Sequence, residues 1–295
     1  MKYAWIAEHT SEFPLEKMCG WLGVSTSGYA AWKSGGSRRQ RLSDAQLPAL
    51  IEAIHRETKG AYGSPRIHDE IRDRGFSAGK ARVERLMREN GIRARHKRRF
   101  KATTDSKHSL PVAENLLDRR FQPAAPNQTW TADITYLATA EGWLYLAVVI
   151  DLFDRAVIGW SMKERMKTDL VLDALTMAYF RRRPAPGVLH HSDRGSQYAS
   201  HAYREQLAAW GMTCSMSRKG NCWDNAPTES FFNSLKNERV HGTRYATRAE
   251  ARADVFEYIE QFYNRSRRHS ALAGKSPAKA FKDWLVAQQQ QQLAA

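Results

Sequence analysis

The chain has few cysteines and no long apolar run. Its 295 residues include three cysteines, Cys19, Cys214 and Cys222, and no two of them form a C-x-x-C pair. This usage predicts neither a disulfide framework nor a structural zinc or redox site. No stretch approaches the roughly 18 uninterrupted apolar residues of a transmembrane helix. Residues 1–10 lack the apolar core of a secretory signal peptide, so we expect a cytoplasmic protein.

What the sequence has in excess is positive charge. Lys and Arg total 46 against 31 Asp and Glu, a formal net charge of +15. Such a surface attracts polyanions, because each neutralised phosphate releases condensed counterions. Residues 1–125 carry a net +10 (24 − 14) and residues 126–295 a net +5 (22 − 17). Nucleic acid is therefore the expected partner, and the first part of the chain should contribute more to its binding.

Residues 1–42 are predicted to form a small helix-turn-helix-like segment. Helices over 15–22 and 27–33 flank a turn at 23–26, as in that motif. A plain helical hairpin that makes no DNA contact fits the same pattern. The apolar residues expected to face inward are Met18, Leu22, Tyr29 and Trp32.

Residues 43–101 are predicted to be a helical DNA-binding domain with a basic tail, followed by a linker over 102–126. Its helices cover 44–58, with Ser43 as candidate N-cap, then 64–74 and 79–90. The last helix is the better candidate for DNA recognition because it carries four cations: Lys80, Arg82, Arg85 and Arg88. The tail that follows repels itself unless phosphate neutralises it, and its cations are Arg93, Arg95, Lys97, Arg98, Arg99 and Lys101.

From residue 127 the pattern changes to alternating strands and helices. Strand patterns cover 130–137, 143–152, 156–162, 188–191 and 212–216. Helical patterns cover 168–181, 200–210, a segment opening at Pro227, 247–264 and 277–287. The order βββαβαβα predicts an α/β domain over 127–287, with a mixed five-stranded sheet flanked by helices. Residues 288–295 form a Gln-rich tail that we expect to fray.

Three acidic residues stand at the ends of these elements. Asp133 lies inside the first strand, Asp193 follows the fourth, and Glu229 falls in the first turn of the helix that opens at Pro227. Such carboxylates can converge to hold two divalent ions for phosphoryl transfer, and oxygen ligands favour Mg²⁺ or Mn²⁺. Asp133 is costly in an apolar strand unless it is paired or binds a metal. Glu229 alone also fits a favourable helix-dipole charge.

The words around these acids resemble a known family. Asp193 and Glu229 have 35 residues between them, and the three acids stand in the words WTADITY, HSDRGSQY and DNAPTES. The words YGSPRI (62–67) and YNRSRRHSAL (263–272) extend the match over nearly the whole chain. The sequence resembles the second-reading-frame (OrfB) transposases of the insertion-sequence-three family, whose D,D(35)E motif is shared with retroviral integrases. Those integrases carry a His/Cys zinc module at the front, and this sequence has none, which favours the insertion-sequence branch.

The resemblance implies an RNase H-like catalytic core in which Asp133, Asp193 and Glu229 are the catalytic metal ligands. It implies an enzyme that cleaves and joins DNA, with two Mg²⁺ or Mn²⁺ ions and attack by a 3′-hydroxyl. The implied partners are the terminal inverted repeats and target DNA, other copies of the chain on DNA, and an upstream-frame product or fusion. Bacterial DNA would place it at the nucleoid.

Further residues are candidates for DNA contact. Lys236 lies seven residues after Glu229, two turns along one helix face, and can reach a phosphate of the DNA end. Asn225 either contacts DNA or caps the helix. Non-specific phosphate contact is expected from the basic set Arg265, Arg267, Arg268 and His269.

Two other pairs of residues have simpler interpretations. His190 and His191 abut Asp193, but Mg²⁺ prefers oxygen, so we expect them to be strand residues. Trp130 and Trp143 are candidates for the core.

Two other functions fit parts of the pattern. An RNase H-like nuclease would use the same acids but attack with water, and the fused helical DNA-binding region argues against it. A non-catalytic DNA-binding regulator would keep the acids for structure alone.

Overall fold

The computed structural model describes residues 2–33, 40–95, 110–218 and 222–294. It consists of two compact units: residues 1–54 with 64–92, and residues 55–63 with 93–295. The predicted DNA contacts Lys97, Arg98, Arg99 and Lys101 lie outside the described residues. In the described part, no helix is long and apolar enough to cross a membrane.

The elements of the first unit are mainly helices. In chain order they are α1 (Lys2–Glu8), α2 (Leu15–Leu22), α3 (Thr26–Lys33), β1 (Gln40–Arg41), α4 (Leu47–Glu57), α5 (Ser64–Asp73), β2 (Phe76–Ser77) and α6 (Lys80–Glu89). The pattern did not predict α1. Ile6 of this helix is buried with Met18 and Tyr29, and Leu22 packs against them. The inward placement of Trp32 was wrong, because 42% of its surface is exposed.

Ser43 stabilises the turn that leads into α4. Its hydroxyl accepts from the Gln46 N–H at 3.3 Å, and Gln46 Oε1 accepts from the Ser43 N–H at 3.2 Å. This reciprocal pair satisfies two N–H groups before the helix, as in a capping box. Ser43 thus closes the N-terminal end as predicted, while regular α-helix starts at Leu47.

The second unit is built on a five-stranded sheet. Its elements are β3 (Thr129–Thr139), β4 (Gly142–Asp151), β5 (Val157–Lys163), α7 (Thr168–Arg182), β6 (Leu189–Ser192), α8 (Ser196–Ala199), α9 (His201–Ala209), β7 (Thr213–Met216), α10 (Ala226–Leu235), α11 (Arg248–Phe256) and α12 (Pro277–Ala294). The strand order is β5-β4-β3-β6-β7. The pairs β3–β4 and β4–β5 are antiparallel, and β3–β6 and β6–β7 are parallel. The predicted mixed sheet is confirmed, and its order is RNase H-like.

Helices cover both faces of this sheet, because successive strand residues point to opposite sides. One core layer joins β-strand residues such as Ala147 and Val149 to α7, α8 and α9. The other joins Leu146 and Val148 to α10 and α11. Trp130 is fully buried as predicted. Trp143 is not, since it begins β4 beside the hairpin turn and half of its surface is exposed.

Helix α10 continues as a π-helical turn over Lys236–Val240, and α11 continues as another over Glu257–Tyr263. The helix predicted over 247–264 is thus confirmed. Two other segments differ from the pattern-based prediction. Helix α12 runs through the glutamines instead of fraying before them. Part of the segment predicted as linker packs on the sheet, because Leu117 is buried and the Leu116 N–H donates to Ser215 Oγ at 2.9 Å.

His190 and His191 are core residues of β6. The Tyr203 hydroxyl lies 3.0 Å from Nε2 of His190, and the two ring nitrogens of His191 lie 2.9 Å from Ser215 Oγ and 3.1 Å from Ser217 Oγ. Burial lowers the pKa of His190 to about 3 and that of His191 to about 4. Both rings are therefore neutral at pH 7, and their nitrogens are occupied within the core.

Gly159→Ala should destabilise the second unit strongly. A Cβ on Gly159 would lie 2.1 Å from the Ala174 carbonyl oxygen and 2.7 Å from the Ala178 nitrogen, both in α7. Neither backbone atom can yield without moving the helix, so we expect a loss of about 3 kcal/mol in the free energy of unfolding. Urea unfolding followed by tryptophan fluorescence measures it. Ser161→Ala, two residues along the same strand, is the control, and equal stabilities of the two variants would contradict this packing.

His191→Asn should make stability less sensitive to acid. The histidine gains a proton near pH 6.5 when unfolded but only near pH 4 when folded, so it destabilises the fold as the pH drops through that window. Between pH 7 and pH 5 the free energy of unfolding of the wild type should fall by about 2 kcal/mol more than that of the variant. Urea unfolding at both pH values measures this difference. Any pH-independent cost of losing the imidazole cancels, because each protein is compared with itself at the two pH values. An equal loss in both proteins would refute the assignment.

Candidate active site

The pairing of β3 with β6 brings two of the predicted acids side by side. These parallel strands pair up to Ala132 and Ser192, which are register partners. The next residue on each strand is an aspartate, Asp133 on β3 and Asp193 after β6. Parallel neighbours carry corresponding residues at the same level of the sheet. The two carboxylates therefore stand at one point on the edge where β6 ends.

Local backbone groups hold each aspartate. Oδ1 of Asp133 accepts from the Ile134 N–H at 2.7 Å, and Oδ1 of Asp193 accepts from the Gly195 N–H at 2.9 Å. A Cβ on Gly195 would come within 3.0 Å of that same Asp193 oxygen. Glycine therefore permits the close turn that orients Asp193 just before α8.

The first turn of α10 docks beside Asp133 and carries Glu229. Asn225 Nδ2 donates to the Ala132 carbonyl at 3.2 Å, and the hydroxyls of Thr228 and Thr131 are 2.8 Å apart. Both contacts are made to the two β3 residues that precede Asp133. Glu229 follows Thr228 and is exposed. Asn225 thus joins the helix to the strand, a role beyond the cap or DNA contact predicted for it.

The charges of the three acids act on one another. Burial raises the pKa of Asp133 well above its usual range, and the charges of Asp193 and then Glu229 raise it further. The Ile134 N–H and the Lys236 ammonium oppose this shift. Partial loss of hydration also raises the pKa of Glu229, although its side chain is exposed. The site thus concentrates negative charge that a cation would relieve.

The donor set suits a hard divalent cation. The three acids offer carboxylate oxygens, the ligands that Mg²⁺ and Mn²⁺ prefer, whereas the nearby histidine nitrogens are occupied in the core. Among the described residues, no three His, Cys, Asp or Glu side chains stand grouped closely enough to hold a metal without adjustment. Binding would therefore draw the carboxylates together, which their mutual repulsion otherwise opposes.

Lys236 lies inward, beside Asp133. It is the first residue of the π-helical turn after α10, and its ammonium lies 5.2 Å from the centre of the Tyr136 ring. Only 7% of its surface is exposed. Burial lowers its pKa to about 8, while the Asp133 charge raises it. Its predicted contact with phosphate stays a prediction.

Asp224 is a buried anchor that the sequence pattern did not single out. It accepts from the Arg218 N–H at 2.9 Å and from that side chain at 2.9 and 3.0 Å, and it also accepts from Arg119 Nε at 3.2 Å and Asn115 Nδ2 at 2.9 Å. These bonds hold its pKa far below its usual range. A signal was present, because Asp224 stands in the motif word before Glu229.

The turn that supplies Arg119 is strained. Asp118 and Arg119 are consecutive non-glycine residues with φ of +42° and +60°. Such conformations cost roughly 1–3 kcal/mol each and persist only where neighbours impose them. Here the Asn115 side chain accepts from the Asp118 N–H at 3.0 Å, and Asp224 holds the Arg119 side chain. The turn thus ties residues 115–119 to the start of the α10 region.

One member of the predicted basic set has a different role. Arg267 is buried and binds both carboxylate oxygens of Glu238, at 2.7 and 2.6 Å, and Tyr258 donates to the same carboxylate at 2.8 Å. Phosphate contact by Arg267 was therefore the wrong expectation, as this bidentate pair holds the π-helical turn of Lys236. Arg265 is exposed, and Arg268 donates to the Gly274 carbonyl at 3.2 Å.

The predicted recognition cations divide into two groups. Arg82 and Arg85 both pair with Asp44 within the first unit, whereas Lys80 and Arg88 are exposed on α6. Arg93 is exposed, and Arg95 donates to the Arg239 carbonyl at 2.9 Å in the second unit. Lys80, Arg88 and Arg93 are thus the described cations of this region best placed for a polyanion.

Comparison with solved structures finds viral integrases at low similarity. A simian T-cell lymphotropic virus intasome, solved with a PP2A regulatory subunit, is 13% identical with a TM-score of 0.42, covering 78% of this chain and 74% of that one. The HTLV-2 integrase catalytic core domain in complex with magnesium is 18% identical with a TM-score of 0.40, covering 54% and 99%. The fold assignment rests instead on the strand order and on the family matches.

Comparison with protein families and curated proteins gives strong matches. Integrase core domain profiles match residues 123–222 and 229–282, and an HTH-like domain profile matches residues 41–100. The transposase InsF for insertion sequence IS3A of Escherichia coli K12 is 47% identical over 282 residues, covering 94% of this chain and 97% of that protein. An uncharacterized 31 kDa protein of insertion element IS600 from Shigella sonnei is 48% identical, covering 90% and 97%. With such identity along nearly its whole length, the chain belongs to the insertion-sequence-three family of transposases.

Proposed function

We propose that Asp133, Asp193 and Glu229 hold two Mg²⁺ or Mn²⁺ ions, and that this transposase uses them to cleave and join DNA at the ends of its insertion sequence. The observation that carries the proposal is the register of Ala132 with Ser192, which sets the two aspartates side by side. The contacts of α10 with β3 support Glu229 as the third ligand, contributed by the helix. The matched integrase core domain and the named transposase relatives support the same chemistry.

The reaction exchanges one phosphodiester bond for another. A 3′-hydroxyl at the end of the element attacks a phosphorus atom of the target DNA and forms a new P–O bond. The bond from that phosphorus to the 3′ oxygen of the target strand breaks. Bound divalent ions would lower the barrier by activating the attacking oxygen and stabilising the leaving one. The protein orients the carboxylates through the Ile134 and Gly195 N–H groups.

Lys236 supplies a positive charge on the inner side of the site. Its ammonium lies over Tyr136 and interacts with Asp133. In the proposed complex it contacts a phosphate of the DNA end next to the bond that reacts. The Arg267–Glu238 pair holds the helical turn on which Lys236 stands, so it helps to orient the ammonium.

DNA recognition belongs to the helical region before the catalytic core. The HTH-like match supports binding of DNA there. We propose that α6 reads the terminal inverted repeats and that the basic residues after it contact the backbone. Joining two ends to one target requires at least two copies, so the active species would be a homo-oligomer on bacterial DNA in the cytoplasm. The product of the upstream reading frame, separate or fused to this chain, can be a further component of this complex.

Neutralising any of the three acids should abolish strand joining. Asp133→Asn, Asp193→Asn and Glu229→Gln each remove a proposed ligand, and the loss of several kcal/mol of metal-based stabilisation corresponds to roughly 10³-fold or more. Joining of labelled terminal-repeat DNA to a plasmid in Mn²⁺ measures this, and gel shift measures binding, which should persist. Asp133→Asn should also raise the free energy of unfolding in EDTA, because a half-buried charge beside two others is removed.

The control is Glu205→Gln, which neutralises an exposed carboxylate on α9. It should join DNA at the wild-type rate. If any one of the three acid variants joins DNA as well as the wild type does, the metal-site assignment is wrong. Hydrolysis without joining by the wild type would show a nuclease instead of a strand-transfer enzyme.

Lys80→Ala and Arg88→Ala should weaken binding to terminal-repeat DNA. Each removes an exposed cation of α6, and each lost phosphate contact should lower the slope of log affinity against log salt by about 1. Fluorescence anisotropy across a salt series measures both quantities. Lys279→Ala, an exposed cation on α12, is the matched control. If Lys279→Ala weakens DNA binding as much as the two α6 variants do, α6 makes no specific contribution to DNA binding.

A further inference from the structure

Asn233 is an exposed residue of α10 that the proposed mechanism does not use. It lies four residues after Glu229, and residues four apart stand one above the other on the same side of an α-helix. Both side chains point outward. The helix is anchored in the core by other residues, namely Thr228, Phe231, Phe232 and Leu235. Asn233 therefore belongs to the surface that presents the third proposed metal ligand.

Asn237 holds the Asn233 side chain in one orientation. It lies one turn further along the helix, and its Nδ2 group donates to Oδ1 of Asn233 at 2.7 Å. The acceptor atom of the Asn233 amide is thus engaged. What this amide offers to a ligand is its Nδ2 donor, which selects a partner with a hydrogen-bond acceptor.

The Asn237 amide is not explained by stability. Among the described residues its own Oδ1 atom is buried and has no hydrogen-bond partner. Buried polar atoms are nearly always paired, because an unpaired one destabilises the fold. An apolar residue at this position would avoid that cost. The contact with Asn233 accounts for the amide, since it fixes the direction of a donor next to Glu229.

The neighbours of Asn233 indicate which ligand it meets. At about 100° per residue, Glu229, Asn233 and Lys236 fall within roughly 60° of one another around the helix axis. DNA held by the proposed metal ligand and by Lys236 would therefore pass over Asn233. Phosphates suit the lysine charge, whereas a neutral amide is suited to the edges of bases.

We propose that Asn233 reads a base at the DNA end, donating from Nδ2 to an acceptor on the edge of a base close to the reacting 3′ end. This inference rests on the proposed function. The bond forms only with a base that has an acceptor at that place, so Asn233 adds sequence specificity to strand joining. Asn237 is a positioning residue that acts through Asn233.

Strand joining with altered DNA ends tests this role. Precut terminal-repeat DNA is joined to a plasmid in Mn²⁺, with each base pair near the end substituted in turn. At one position the wild type should join the native end about 5-fold faster than the substituted end, as expected for one hydrogen bond. Asn233→Ala should join both ends at the slower rate. Its Tm should not fall, because alanine is favourable at an exposed helix position.

Ser230→Ala is the matched control. It removes an exposed hydroxyl from the same helix and should distinguish the two ends as the wild type does. Asn237→Ala should weaken the discrimination, and the double variant with Asn233→Ala should be no worse than Asn233→Ala alone, because the two amides act as one unit.

Two results would overturn the inference alone. If Asn233→Ala slows the joining of all ends equally, the residue contacts phosphate or supports the helix and reads no base. If the variant keeps the wild-type preference at every position, Asn233 has no part in recognition. Failure of the wild type to join any end would instead refute the proposed function, and this inference with it.

Discussion

The site depends on the parallel pairing of β3 with β6. That pairing ends at Ala132 and Ser192, so the next residue of each strand contributes a carboxylate at the same level. Like charges so close oppose each other: burial, and then the charge of Asp193, raise the pKa of Asp133. Without a cation, repulsion between the two carboxylates disfavours their position side by side. The packing of the two core layers on the sheet must therefore hold the strands that carry them. Everything else around the site either fixes these two strands or brings a further group to them.

The supporting contacts come from both faces of the sheet. On one face, α8 and α9 pack against the sheet, and the neutral His190 ring contacts the Tyr203 hydroxyl of α9. On the other, α10 is bound to β3 through Asn225 and Thr228, and the Arg267–Glu238 pair holds the turn of Lys236. Buried ion pairs are weak contributors to stability but strong determinants of geometry, since breaking one leaves an uncompensated charge. In this chain the buried Arg267–Glu238 pair lies on one side of the helix that carries Glu229, and the buried Asp224, paired with the half-exposed Arg218, lies on the other.

Much of this could be predicted from the sequence. Alternating apolar residues and short connections predicted all five strands of the sheet, and the strand pairing sets Asp133 beside Asp193 as expected. The grouping of all three acids stays a prediction. Residues whose role depends on distant partners could not be placed. Arg267 was assigned to phosphate because nothing in its neighbourhood shows that Glu238, 29 positions earlier, would bury it. Asp224 stood inside a motif word, yet its contacts with Asn115 and Arg119 arise only when the segments fold together. Trp143 and Trp32 were placed inside by composition, whereas their positions at element ends leave them exposed.

The segment before the catalytic domain also closes a sheet edge. β7 is the last strand of the order, and an open edge of this kind can accept a strand from another molecule. Here the Met216 N–H donates to the Glu114 carbonyl at 3.3 Å, and the Ser215 hydroxyl accepts from the N–H groups of Leu116 and Leu117 at 2.9 and 3.3 Å. The hydrogen-bonding groups at the end of β7 are thus already used within the chain. A strand of a second chain therefore cannot bind the Met216 N–H at this end of β7 unless the segment over 114–117 first leaves it.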